Sequence, residues 1–166
     1  MVALAVLGQI EIPERVVALL PAAFAAWPRD RRSVWEIHQR QWWHSTTSDH
    51  YLDEETVDFI DSTLKHFSIE VWEPESHGLI LFEDVEKHRD DGVICDGRQG
   101  VYFHLVLEGS GVLHLPGVGD KDLRTLKLEK GLAFWFNPDV YHAVTDASPQ
   151  GIATLSATIR VKPPTL

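Results

Sequence analysis

GVYFHLVLEGSGVLHLPGVGDKDLRTLKLEKGLAFWF, residues 100–136, is the stretch that decides the fold. Its runs GVYFHLVLEG, GVLHLP, LRTLKLE and GLAFWF are short and rich in branched and aromatic residues. Such side chains fit the pleated surface of a strand, and the Gly, Pro and Asp between them mark turns. Within it, GVLHLPGVGDKDLRTLKL reads as a hairpin with PGVGDKD at its tip. Working outward, SIEVWE and GLILFEDVE precede the stretch, and YHAVTD and GIATLSATIRV follow it. Eight strand-like runs without an intervening helical pattern point to an antiparallel sandwich or barrel. The expected fold is mainly β with N-terminal helices, a cupin-like jelly roll or double-stranded β-helix.

The first 67 residues have a different texture, so a helical extension (1–67) packed on a jelly-roll core (68–166) is expected, together one structural domain. Glu14–Ala26 has apolar residues at helical spacing, with Pro21 kinking or splitting it. Asp53–His66 opens with acids and closes with Lys65 and His66, matching the helix dipole at both ends. Val57, Ile60 and Leu64 fall on one face of that helix. Trp35, Trp42, Trp43 and His44 read as packing between helices and sheet, or as walls of a substrate pocket. His38, His44 and His50 lack zinc-site spacing.

With 166 residues, one core is the natural count. Fifteen Lys and Arg against 25 Asp and Glu give a formal net charge of -10. Such a surface repels phosphate, so neither nucleic acid nor an anionic membrane is an expected partner. Residues 1–10 are apolar, but no basic stretch precedes them and Glu11 and Glu14 follow, unlike a signal peptide or a membrane span. The lone Cys95 forbids an internal disulfide and fits a reducing compartment, so a cytoplasmic chain is expected.

The chemistry-bearing residues lie at strand ends. His88-Arg89-Asp90 follows GLILFEDVE, and a His and a carboxylate two residues apart point to one side of an extended chain. His142 follows KGLAFWFNPDVY, whose Asn137-Pro138-Asp139 is a turn. Two histidines and one carboxylate on one face of a metal form the facial triad of non-haem iron(II) oxygenases. With nine histidines and 25 acids, about one His-x-Asp arises by chance, and alone this one reads as a solvated turn. The arrangement changes that reading, because a jelly roll brings such strand ends together at one mouth.

HRDDG, VYFHLVLEGSG and LEKGLAFWFNPDVYHAVTDAS together resemble the Fe(II)/2-oxoglutarate-dependent oxygenase superfamily. Within it, the aspartyl/asparaginyl and free-proline hydroxylase group is the most similar, over about residues 79–160. The resemblance implies that His88, Asp90 and His142 bind Fe(II), with 2-oxoglutarate and O₂ as cosubstrates. It also implies that His104 approaches the 2-oxoglutarate, with Tyr102 on the same face in place of a basic residue. One departure stands out: where the family has an arginine about ten residues after the distal histidine, this chain reads DASPQGIATL. Arg160 is the next candidate for the far carboxylate, sharing a strand face with Thr154, Ser156 and Thr158. Arg98 and Arg124 are secondary candidates.

Two functions follow. One is a hydroxylase acting on a small molecule, such as an amino acid, or on a peptide. The other is a non-catalytic cupin-type binding or sensor module, which FHLVLEGSGVLHL followed by LEKGLAFWFNPDVYHAV also resembles. Against the second, the ordinary metal-cupin pattern of His-x-His then Glu is absent, the matching stretch being Asp96-Gly97-Arg98. An oxygenase fold without activity is a third possibility, raised by the missing arginine.

Overall fold

A computed structural model of the chain describes residues 4–26, 39–45, 52–71, 77–90, 100–116 and 123–160. Cys95, Arg98, Trp35, His38 and His50 lie outside the described residues, as do the side chains of Trp42, Trp43 and His44. Three helices and ten strands follow in chain order: β1 (Leu4–Gln9), α1 (Glu14–Val17), α2 (Leu20–Ala26), β2 (Gln39–Ser45), α3 (Glu54–His66), β3 (Glu70–Val71), β4 (Gly78–His88), β5 (Gly100–Glu108), β6 (Gly111–Pro116), β7 (Leu123–Leu128), β8 (Leu132–Phe136), β9 (His142–Thr145) and β10 (Ile152–Arg160).

Local chemistry explains the helices. Pro21 lacks an N–H and its ring crowds the carbonyl four residues back, so the helix stops at Val17 and restarts at Leu20. Helix α3 begins where Asp53 accepts a hydrogen bond from the Thr56 amide at 2.7 Å. Its Ile60 and Leu64 are buried, and Val57 packs beside them.

The strands form one curled sheet in the order β1-β8-β5-β10-β4-β9-β6-β7, with β2 also on β4 and β3 on β10. The pairing is antiparallel throughout, and β6 and β7 form the expected hairpin, from Gly111 opposite Leu128 to Pro116 opposite Leu123. The curl makes a double-stranded β-helix. Alternation along each strand sorts side chains into two cores. Phe82, Val106, Leu113, Phe134, Phe136 and Ile152 point into the barrel. Leu81, Phe103, Leu105, Trp135, Leu155 and Ile159 point outward, where α1, α2 and α3 cover them. Each such side chain contributes roughly 1.5–3 kcal/mol by burial, so apolar contact is the main source of stability.

The N-terminal region is not purely helical. Leu4–Gln9 pairs with β8 and Gln39–Ser45 pairs with β4, so two of its segments are strands of the barrel sheet. Strand β1 is an edge, and its partner lies more than a hundred residues later, so nothing local in the sequence announces the pairing.

The β5–β6 turn depends on Gly109, whose φ is +85. A side chain there would collide with the Gly151 carbonyl oxygen and come within 2.8 Å of Ser148 Oγ. Ser148 Oγ is itself engaged, donating to Gly151 O at 2.7 Å and accepting from the Ser110 amide at 3.1 Å. Gly109→Ala is therefore expected to lower stability by roughly 1–3 kcal/mol, seen as a lower urea midpoint at unchanged slope.

Candidate metal centre

His88 is the last residue of β4 and His142 the first of β9, and the two are directly paired across the sheet. Their rings lie 4.2 Å apart between centroids. Asp90 follows just beyond β4, held by its backbone N–H donating to the Pro138 carbonyl at 3.0 Å. Its carboxylate reaches both rings: Oδ1 is 3.3 Å from His88 Nε2, and Oδ2 is 3.8 Å from His142 Nε2. The three potential ligand atoms lie within 4.8 Å of one another.

Two ligands bound at right angles about 2.1 Å from one ion sit about 3.0 Å apart. The two separations to Asp90, each from a different carboxylate oxygen, exceed that by less than an ångström, and the three ligand atoms lie close enough together that they could share one ion. The side chains are 18%, 13% and 7% exposed for His88, Asp90 and His142, leaving the trio near the barrel mouth and largely shielded from water.

The backbone fixes the histidine tautomers. His88 Nδ1–H donates to the Glu86 carbonyl at 2.8 Å, and His142 Nδ1–H donates to the Val140 carbonyl at 2.9 Å. In the neutral rings both Nε2 lone pairs are thereby turned toward Asp90, the arrangement a metal-binding imidazole needs. Burial pulls the His88 pKa down, but the Asp90 hydrogen bond, the Glu86 carbonyl and the Asp90 charge together raise it above the ordinary value. For His142, burial dominates and holds the pKa below the ordinary value, against the pull of the Val140 carbonyl and Asp90.

Behind the trio lies an apolar cavity of about 50 Å³. Ile80, Phe82, Leu113, Phe134 and Val144 line it, together with His88, His104 and His142. His104 is stacked on Phe134 and Phe136, each 5.4 Å away between centroids. Its Nδ1 is 3.2 Å from Thr154 Oγ1, whereas its Nε2 and the Ser156 hydroxyl are buried with no hydrogen-bond partner among the described residues. His104 and Ser156 are direct neighbours across β5 and β10. Burial, helped by the nearby His142, lowers the His104 pKa to about 3, so this ring stays neutral.

The structure brings His88, Asp90, His142 and His104 together. Tyr102 meets His104 edge-on at 6.3 Å between centroids and is partly buried. Arg160 is exposed at the end of β10, opposite Gly100, and is not among the residues lining the cavity. Arg124 is exposed on β7. The carbonyls of Glu86, Pro138 and Val140, which fix the ligands, escaped the sequence reading. Only the Asn137-Pro138-Asp139 turn signal hinted at them.

No protein-family model matches the sequence, and no curated protein matches it. Among solved structures, a prolyl-4-hydroxylase of Pseudomonas putida is similar with a TM-score of 0.60 and 15% identity, over 96% of this chain and 93% of that one. OsALKBH1 is similar with a TM-score of 0.58 and 10% identity, over 96% of this chain and 98% of that one. At these identities the likeness is one of fold, and it runs nearly end to end.

The buried neutral His104 has a consequence for acid stability. Well above pH 6.5 the ring is neutral both folded and unfolded, so it adds no pH dependence there. As pH falls below that value the unfolded chain takes up a proton that the folded chain refuses, and stability drops. Between pH 7 and 5 this loss is about 2 kcal/mol in metal-free buffer. His104→Gln is expected to remove it, read as a smaller difference between urea midpoints at the two pH values.

Proposed function

We propose that this protein is an Fe(II)- and 2-oxoglutarate-dependent dioxygenase that hydroxylates a small molecule or a peptide. The observation that carries the proposal is the convergence of His88, Asp90 and His142 at the barrel mouth, with both histidine Nε2 atoms facing the carboxylate. Two imidazoles and one carboxylate suit iron(II), and three ligands on one face leave the other coordination positions free. The fold supports the same reading, since one of the similar structures is by name a hydroxylase. Iron with 2-oxoglutarate and O₂ supplies the power to insert oxygen into an unactivated C–H bond, releasing succinate and CO₂.

The chain's own residues then have distinct tasks. Asp90 provides the single anionic ligand, and the Glu86 and Val140 carbonyls hold the two imidazoles in the binding tautomer. The aromatic wall of His104, Phe134 and Phe136 keeps bulk water from the inner side of the site. His104 Nε2 and Ser156 Oγ offer unused hydrogen-bonding atoms inside the barrel, which suits an organic cosubstrate better than an empty apolar core. In this reading Tyr102 and His104 contact 2-oxoglutarate, and Arg160, exposed and outside the cavity lining but on the strand face of Thr154 and Ser156, reaches in from the end of β10 to take its far carboxylate.

Two outcomes are expected. Asp90→Asn should remain folded, with a melting temperature near wild type in chelator, and should lose almost all 2-oxoglutarate-dependent succinate production. Normal turnover by that variant would take Asp90 out of the metal centre. Loss of a charge-assisted contact of about 1.5–3 kcal/mol in Arg160→Ala should raise the KM for 2-oxoglutarate about ten- to hundredfold. An unchanged KM would move that role to another residue. Ligand binding without any succinate would favour the non-catalytic binding module instead.

A further inference from the structure

The ladder between β4 and β9 is irregular immediately before the ligands: Val85 faces Val144 and His88 faces His142, with a register shift between them. Regular pairing therefore does not by itself hold the ligand end of β4 against β9. The turn from Asn137 to Tyr141 meets that end at several points. Asn137 Oδ1 accepts from the Asp139 amide at 3.0 Å and shapes the turn. Pro138 O then receives the Asp90 amide, and Val140 O receives His142 Nδ1–H.

Tyr141 completes the set. It is 49% exposed, unusual for a large aromatic side chain among the described residues, and it immediately precedes His142. Lys87 Nζ lies 5.2 Å from its ring centroid and Arg89 Cζ lies 5.7 Å from it. These two cations flank His88 in sequence, so the contact joins the residues on either side of one histidine to the residue before the other. A cation over an aromatic face is attracted by the ring quadrupole.

We propose that Tyr141 is a positioning residue for the metal centre: its ring clasps Lys87 and Arg89 and so keeps His88 and Asp90 in register with His142. The clasp is a property of the chain itself, and its effect on metal binding rests on the reading given under Proposed function. Exposed contacts of this type correspond to about a two- to fivefold change in a local equilibrium.

The test is amide hydrogen exchange of metal-free wild type, Tyr141→Ala, Tyr141→Phe and Lys87→Gln, followed by Co(II) titration of each. Exchange at the Asp90 amide is expected to accelerate about two- to fivefold in Tyr141→Ala, and in the same direction in Lys87→Gln. Tyr141→Phe, which keeps the ring, should match wild type, and the buried Leu105 amide should be unchanged in all four. Co(II) affinity should weaken in Tyr141→Ala by a similar factor and be restored in Tyr141→Phe. Unchanged exchange at Asp90 in both Tyr141→Ala and Lys87→Gln would overturn the clasp, as would equal acceleration at Leu105. Faster exchange in Tyr141→Phe would assign the effect to the hydroxyl and also overturn it. A wild type that ignores Co(II) while the Asp90 amide responds as expected would leave the clasp standing and remove the metal-centre reading.

Discussion

Strand β4 belongs to both halves of the barrel. Its first part, Gly78–Phe82, lies against β10, and its last part, Val85–His88, lies against β9. One continuous run of backbone therefore sets the register of both halves of the sheet, and its end carries His88 to its partner His142. Side chains alternate over its first part, so Ile80 and Phe82 enter the barrel core while Leu79 and Leu81 face the helices, and a register shift between Phe82 and Val85 brings Val85 into the same core. A one-residue slip would exchange these two sets and turn His88 away from the cavity. The candidate ligands His88 and His142 are thus positioned by the same apolar burial that stabilises the fold.

The electrostatics of the site follow from where it sits. Near the mouth, Asp90 is close enough to both histidines to offset part of their burial, and His88 keeps an elevated pKa. Deeper in the barrel the carboxylate has less influence, and His104 is held neutral by burial. The gradient gives a rim that carries the Asp90 carboxylate and an inner wall that carries no charge. A low-dielectric wall strengthens interactions at the rim, because less water screens them.

Much of this was legible in the sequence. The runs from GLILFEDVE to GIATLSATIRV became β4 to β10, and Asp53 capped its helix as its spacing suggests. The convergence of His88, Asp90 and His142 was readable because a strand fixes where alternate residues point and a jelly roll brings strand ends together. Leu4–Gln9 was not readable as a strand, since its apolar pattern has several meanings and its partner β8 is remote. The carbonyls that orient the histidines were hidden too, because backbone groups have no letter in a sequence. The Tyr141 contact needed the β4–β9 register, which is irregular at that point and follows no simple period.

The proposed function requires His88, Asp90 and His142 to hold iron in a form that 2-oxoglutarate can chelate. Anaerobic titration of the apoprotein with Fe(II) and then 2-oxoglutarate, followed by visible absorption, tests it most directly. The expected result is a metal-to-ligand charge-transfer band that saturates at one iron per chain and is absent in His142→Ala. No band at saturating iron and cosubstrate, or an undiminished band in His142→Ala, would contradict it.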